Sequence, residues 1–114
     1  MKAISNQDIL QYDFLREMYD DDYFPDFLVD KIKKILLDVC FEIENKKPVS
    51  DHDLFLITHQ SVEIINDLQD EFDENDSELE TAAREAIGAD FEFIVSTYGF
   101  NEVDIEDVIA PRDW

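Results

Sequence analysis

The sequence predicts an all-α fold, a compact helical bundle of three long helices with shorter helices at its ends. Three observations carry that prediction. Apolar residues recur at spacings of three and four over three separate stretches, the pattern of a helix with one buried face. The 114 residues include only two Gly and three Pro, which suits long helices better than a turn-rich β fold. Capping and stop residues fall at the ends of the same stretches.

Taken in order, Ile9, Leu10, Phe14, Leu15 and Met18 predict a first helix over residues 7–19, running into the acidic turn Asp20-Asp21-Asp22. Pro25 then opens a second helix that reaches Asn45, because a missing N–H costs nothing at the first helical position. Asp22 and Asp26 suit the positive end of its dipole. Leu28, Ile32, Ile35, Val39 and Ile43 form its apolar face, flanked by Leu36 and Cys40, while Leu37 and Phe41 point to another side. That second pair would receive the first helix or make a dimer contact. Lys46-Lys47 and Pro48 close the helix.

The third helix starts at Ser50 or Asp51 and extends to Glu74, with Leu54, Ile57, Ser61, Ile65, Leu68 and Phe72 inward. The fourth opens at Ser77-Glu78-Leu79-Glu80, which reads as a capping box in which Ser77 and Glu80 satisfy each other's backbone N–H groups. Leu79, Ala83, Ala86, Ile87, Ile94 and Tyr98 form its stripe, and Gly99 is placed to take the left-handed conformation just beyond its end. A short turn of helix over 104–109 follows. Residues 1–114 read as one domain without repeat or linker.

Thirty Asp or Glu against nine Lys or Arg give a formal net charge of -21, far beyond the magnitude of roughly 2–8 that suffices for solubility. Such a surface repels nucleic acid and anionic lipid. It directs attention to basic proteins or cations. The hydrophobic content of 45%, with nine Phe, four Tyr and one Trp, separates the chain from acidic disordered tails. There is no apolar leader at the start and no run long enough to span a membrane, so a cytoplasmic protein is expected.

The single cysteine, Cys40, sits beside an apolar stripe and reads as a small buried hydrophobe. No catalytic residue, metal set or cofactor is expected. The acidic run Asp67, Asp70, Glu71, Asp73, Glu74, Asp76, Glu78, Glu80 fails as a calcium loop. From Asp73, the position that needs Gly holds Glu78, and the one that needs Glu holds Arg84. A solvated, cap-rich turn is the simpler reading.

His52 and His59 are seven residues apart, about 20° around an ideal helix. His59 and Glu63, at i and i+4, have permissible ligand spacing, although a solvated face with a His–Glu contact is expected. Extrapolating the fourth stripe puts Asp90 on the core side, where a carboxyl needs a partner such as Arg84, a tyrosine hydroxyl or the indole of Trp114. The favoured alternative is that Gly88 interrupts the helix and Asp90 restarts it as a cap. Tyr19, Tyr23, Phe24 and Phe27 alternate with Asp20, Asp21, Asp22 and Asp26, aromatics in an acidic field of the kind that suits a basic partner. The bland alternative has Phe24 and Phe27 stapling the turn to the bundle.

Four stretches resemble a family of small acidic bacterial proteins of unknown function: Met18-Tyr19-Asp20-Asp21-Asp22-Tyr23-Phe24-Pro25-Asp26-Phe27-Leu28-Val29-Asp30-Lys31, Asn66-Asp67-Leu68-Gln69-Asp70-Glu71-Phe72, Glu80-Thr81-Ala82-Ala83-Arg84-Glu85 and Ile109-Ala110-Pro111-Arg112-Asp113-Trp114. The resemblance covers nearly the whole chain and implies bacterial origin, but no activity. Asp22-Tyr23-Phe24-Pro25 is also similar to an Asp-Tyr-Tyr-Pro-type segment of small helical immunity proteins that block nuclease toxins, within a different order of helices.

The expected function is a non-enzymatic module that docks on a basic protein, as an immunity protein, antitoxin or nucleic-acid mimic does. Asp20, Asp21, Asp22, Tyr23 and Phe24 are its first candidate residues, and Asp70, Glu71, Asp73 and Glu74 its second. The alternatives are a divalent-metal protein using His59 and Glu63, or a charged domain with no specific ligand.

Overall fold

The computed structural model describes residues 4–114. Helices follow in the order α1 (Gln7–Gln11), α2 (Arg16–Tyr19), α3 (Asp26–Lys46), α4 (Asp51–Asp67), α5 (Gln69–Glu74), α6 (Thr81–Thr97) and α7 (Ile105–Val108), with no strand among the described residues. α3 pairs most extensively with α4, and α6 receives α1, α2, α3 and α7. One hydrophobic core joins them, and Phe14, Phe24, Phe72 and Phe91 are its largest fully buried side chains. Among the described residues no helix is long and apolar enough to cross a membrane.

The predicted first helix is two short helices. Leu15 breaks it in the left-handed conformation, φ 57°, which costs a branched residue about 1–2 kcal/mol. The break turns Ile9, Phe14, Leu15 and Met18 inward together, each at most 2% exposed. The segment packs on α6 as well as against α3. Glu44 of α3 anchors its start by accepting from Ser5 N, Ser5 Oγ and Asn6 N at 2.8, 2.9 and 3.1 Å.

Pro25 stands one residue outside α3, as its N-cap, and its carbonyl accepts from Leu28 N and Val29 N. Ser50 caps α4, its side chain accepting from Asp53 N. The third predicted helix divides at Leu68 into α4 and α5.

The predicted capping box is not formed. α5 ends in a Schellman motif: Asp76 is left-handed (φ 58°), Asp76 N donates to Asp73 O, and Ser77 N donates to Phe72 O at 2.9 Å. Ser77 is therefore the closing residue of α5. α6 begins four residues later at Thr81, with Glu80 as its N-cap and no side-chain cap bond. At the other end of α6, Gly99 takes φ 95°, Gly99 N donates to Ser96 O, and Phe100 N donates to Val95 O at 2.8 Å. Asp104 caps α7.

Candidate functional site

The two acidic segments nominated from the sequence are linked through α3, whose Lys31 pairs with Glu71. In the turn after α2, the Asp21 carboxylate accepts from Tyr23 N at 2.9 Å, and Asp21 O accepts from Phe24 N. That turn leaves Asp20, Asp21, Asp22 and Tyr23 exposed and drives Phe24 into the core at 2% exposure. Phe24 therefore leaves the candidate surface and acts as the staple. Phe27 does the opposite and remains 50% exposed.

Desolvation, followed by the carboxylates of Glu78 and Glu80, pushes the Tyr23 hydroxyl above its ordinary range. Lys31 of α3 pairs with Glu71 of α5 and ties the element after the first acidic turn to the second acidic segment. Asp70, Asp73 and Glu74 stay exposed around them. Arg16 reaches Asp20 only loosely, 3.9 Å between two exposed side chains, a pair of little energetic weight.

The C-terminal segment completes this end. Asn66 clamps it from both sides of its amide, donating to Pro111 O at 3.0 Å and accepting from Asp113 N at 3.1 Å. Gln69 adds a bond to the Asp113 carboxylate at 2.7 Å. Three of the four stretches that carry the family resemblance, 66–72, 80–85 and 109–114, thus line one cleft, and the fourth, 18–31, is tied to them through the Lys31–Glu71 pair. The cleft has a volume of about 510 Å³, with Asp70, Asp73, Glu78, Glu80 and Asp113 as its acidic lining and Arg84 as its basic member.

Ser77 and Trp114 also line this cleft. They are 1% and 7% exposed, and Ser77 Oγ and Trp114 Nε1 are buried without a hydrogen-bond partner. Leaving such a group unmet costs about 1–3 kcal/mol. Arg112 lies over the Trp114 ring at 5.8 Å and pairs with Glu106 at 3.2 Å. Sequence reasoning missed both residues as part of a cleft: Ser77 reads locally as a helix cap, and Trp114 as a partner for Asp90 within the C-terminal family-like stretch.

Asp90 is buried, 4% exposed, and α6 runs unbroken through Gly88. The expected interruption and restart do not occur. Its carboxylate accepts from Tyr12 Oη and Leu15 N, both at 2.8 Å, so both oxygens are engaged in holding the α1–α2 break. Burial raises the Asp90 carboxyl to about 6, against the lowering pull of those two hydrogen bonds, with a smaller rise from Glu17 and Asp13. Tyr12 in turn stacks on Phe93 at 3.8 Å.

His59 does not contact Glu63. Its Nε2 bonds to Asp107 O at 2.6 Å and its ring stacks on Phe55, which fastens α4 to α7. Among the described residues no three His, Cys, Asp or Glu side chains are grouped so as to hold a metal ion. Burial, and then Glu44, push the Cys40 thiol up to about 12, which makes it a poor nucleophile.

No curated protein and no solved structure matches the chain. A family model does match, over residues 8–114. The chain belongs to DUF5713, a family of unknown function.

Proposed function

We propose that this protein is a non-enzymatic binding module of the bacterial cytoplasm that docks its acidic end on a basic protein. The observation that carries the reading is the convergence of Asp20, Asp21, Asp22 and Tyr23 with Asp70, Glu71, Asp73 and Glu74 around the Glu78–Glu80 turn. Tyr23 supplies an exposed aromatic inside that field, the kind of residue on which binding energy concentrates. Clustered like charge speeds association with an oppositely charged surface and makes it salt-sensitive. The same field repels nucleic acid and anionic lipid. The groups with chemical potential elsewhere serve the fold: Asp90 and His59 are occupied by backbone and tyrosine partners, and the Cys40 thiol is held protonated.

The test is capture of partners from bacterial lysate at low and moderate salt with three baits. These are the wild type, a variant neutralised at the acidic end (Asp20→Asn, Asp22→Asn, Asp73→Asn, Glu74→Gln), and a variant with four exposed acids neutralised elsewhere (Asp8→Asn, Asp51→Asn, Glu92→Gln, Glu102→Gln). A basic protein held stoichiometrically by the wild type and the second variant, released by salt and lost from the first variant, is the expected result. Equal loss from both variants would show that total charge, not the acidic end, does the holding.

A further inference from the structure

We infer that residues 5–15 form a proton-gated strap, held shut by a protonated Asp90 and opened by loss of that proton while the rest of the bundle stays folded. The strap is fastened at two points by carboxylates of two different helices. Glu44 of α3 accepts from Ser5 N, Ser5 Oγ and Asn6 N. Asp90 of α6 accepts from the Tyr12 hydroxyl and from Leu15 N at the left-handed break. A ring of packed helices closes without the strap: α3 on α4, α4 on α7, α7 on α6 and α6 on α3. Opening leaves that ring in place and uncovers Ile9, Phe14 and Leu15, which are buried when the strap is shut.

The hydrogen-bonding inventory at Asp90 suits a carboxylic acid as well as a carboxylate. Leu15 N is a donor and needs an oxygen lone pair, whereas a tyrosine hydroxyl donates or accepts. A protonated Asp90 therefore keeps both bonds, its carbonyl oxygen accepting from Leu15 N and its O–H donating to Tyr12. Burial favours that neutral form and raises the carboxyl to about 6. Glu17 and Asp13 add to the rise from the strap's side, and Arg16 beside them pairs loosely with Asp13 and Asp20, at 4.0 and 3.9 Å. On the other elements packed against α6, Glu44 of α3 is bonded to Tyr98, and Glu106 of α7 to Arg112.

The two anchors answer pH differently. A raised value means that the shut strap binds the proton more readily than the open one, so closure weakens as the pH rises through about 6. At Glu44 burial is outweighed by hydrogen bonds that hold the carboxyl below its ordinary value. It keeps its charge from pH 5 to 8 and is the fixed end of the strap. Working from 3.8 open and about 6 shut, the open fraction grows about tenfold between pH 5 and 8.

Hydrogen exchange at pH 5, 6.5 and 8 tests the strap, each rate divided by the intrinsic rate at that pH to give an opening constant. The expected result in the wild type is an opening constant at Tyr12 N and Leu15 N that rises about tenfold from pH 5 to 8. At pH 8 it should exceed the constants of Val62 and Ile65, in α4, by roughly tenfold or more, as a locally opening unit does. Asp90→Asn has no proton to lose there and should level the rise at the strap. Equal opening constants at the strap and in α4 would mean a single global unfolding and would overturn the strap. A strap constant that stays level from pH 5 to 8 in the wild type, or a rise that persists in Asp90→Asn, would overturn Asp90 as its gate. The wild-type comparison decides the matter even where the variant fails to fold.

Discussion

Replacing Asp90 by Asn should stabilise this protein at pH 8 and lose that advantage as the pH falls. The wild-type carboxyl is raised from 3.8 to about 6 in the folded state, first by burial. A raised value means the native chain binds the proton more readily than the unfolded chain does. The group's contribution is therefore complete below pH ~4 and is lost as the pH rises through about 6. The difference of about two pKa units corresponds to about 3 kcal/mol at 1.36 kcal/mol per unit. That is the order of the cost of keeping a charged Asp90 between α6 and the α1–α2 break at pH 8.

Asn avoids this charge and keeps the geometry: its carbonyl can accept from Leu15 N, and its amide can donate to the Tyr12 hydroxyl. The gain at pH 8 is then up to about 3 kcal/mol, reduced by whatever the second amide hydrogen leaves unmet. Urea unfolding of both proteins at pH 8, 6.5, 5 and 4 measures it. Their other carboxylates are common to both and cancel in the difference. A stability difference that does not shrink between pH 8 and 4, or an Asn variant less stable at pH 8, would refute the account of Asp90 as a buried, strained anion.

Glu44 should behave with the opposite sign. Burial alone would raise its carboxyl, but hydrogen bonds from Tyr98, Ser5 and Asn6 outweigh that and hold it below the ordinary value. Its stabilisation is present above the unfolded value and lost as the pH falls below it. Glu44→Gln should cost about 1–2 kcal/mol at pH 7 and speed hydrogen exchange at Ser5 and Asn6. The two glycines should also differ in sign. Gly88 lies inside α6, where an added Cβ meets only Ile109 Cδ1 at 4.0 Å, so Gly88→Ala should raise stability by about 0.5–1 kcal/mol. Gly99 has φ 95°, and Gly99→Ala should lower it by about 1–2 kcal/mol, both read by urea unfolding.

The long helices were legible because each has a periodic apolar face, although the division of the third at Leu68 carries no stop signal. Asn45 was predicted and Lys46 observed as the end of α3, since Lys47 takes the left-handed conformation and Pro48 follows. Gly99 was legible because its role depends only on backbone freedom. The break at Leu15 was not legible because it needs a partner far away in the chain. Nothing near Leu15 announces a break, because Asp90, seventy-five residues later, supplies the carboxylate that receives its N–H. The Ser-x-x-Glu pattern at Ser77 is a sound local signal for a cap. It loses because the end of α5 fixes the Ser77 backbone first. Phe24 and Phe27 have the same composition and nearly the same neighbours, and only the core's position separates a buried ring from an exposed one.

The distribution of charge separates a docking surface from general solvation more sharply than its total does. Eight of the fourteen residues from 67 to 80 are Asp or Glu, and none is Lys or Arg. Five of the nine basic residues lie between 31 and 47, on α3 and its cap. Of these, Lys31 reaches Glu71, while Lys34 and Lys46 pair within α3, with Asp38 and Glu42. An acidic surface serving only hydration has no need of such an imbalance, because dispersing the acids lowers their mutual repulsion at the same total charge. Concentrating eight of them between 67 and 80 stores repulsion in one segment, which is the physical ground for the proposed basic partner.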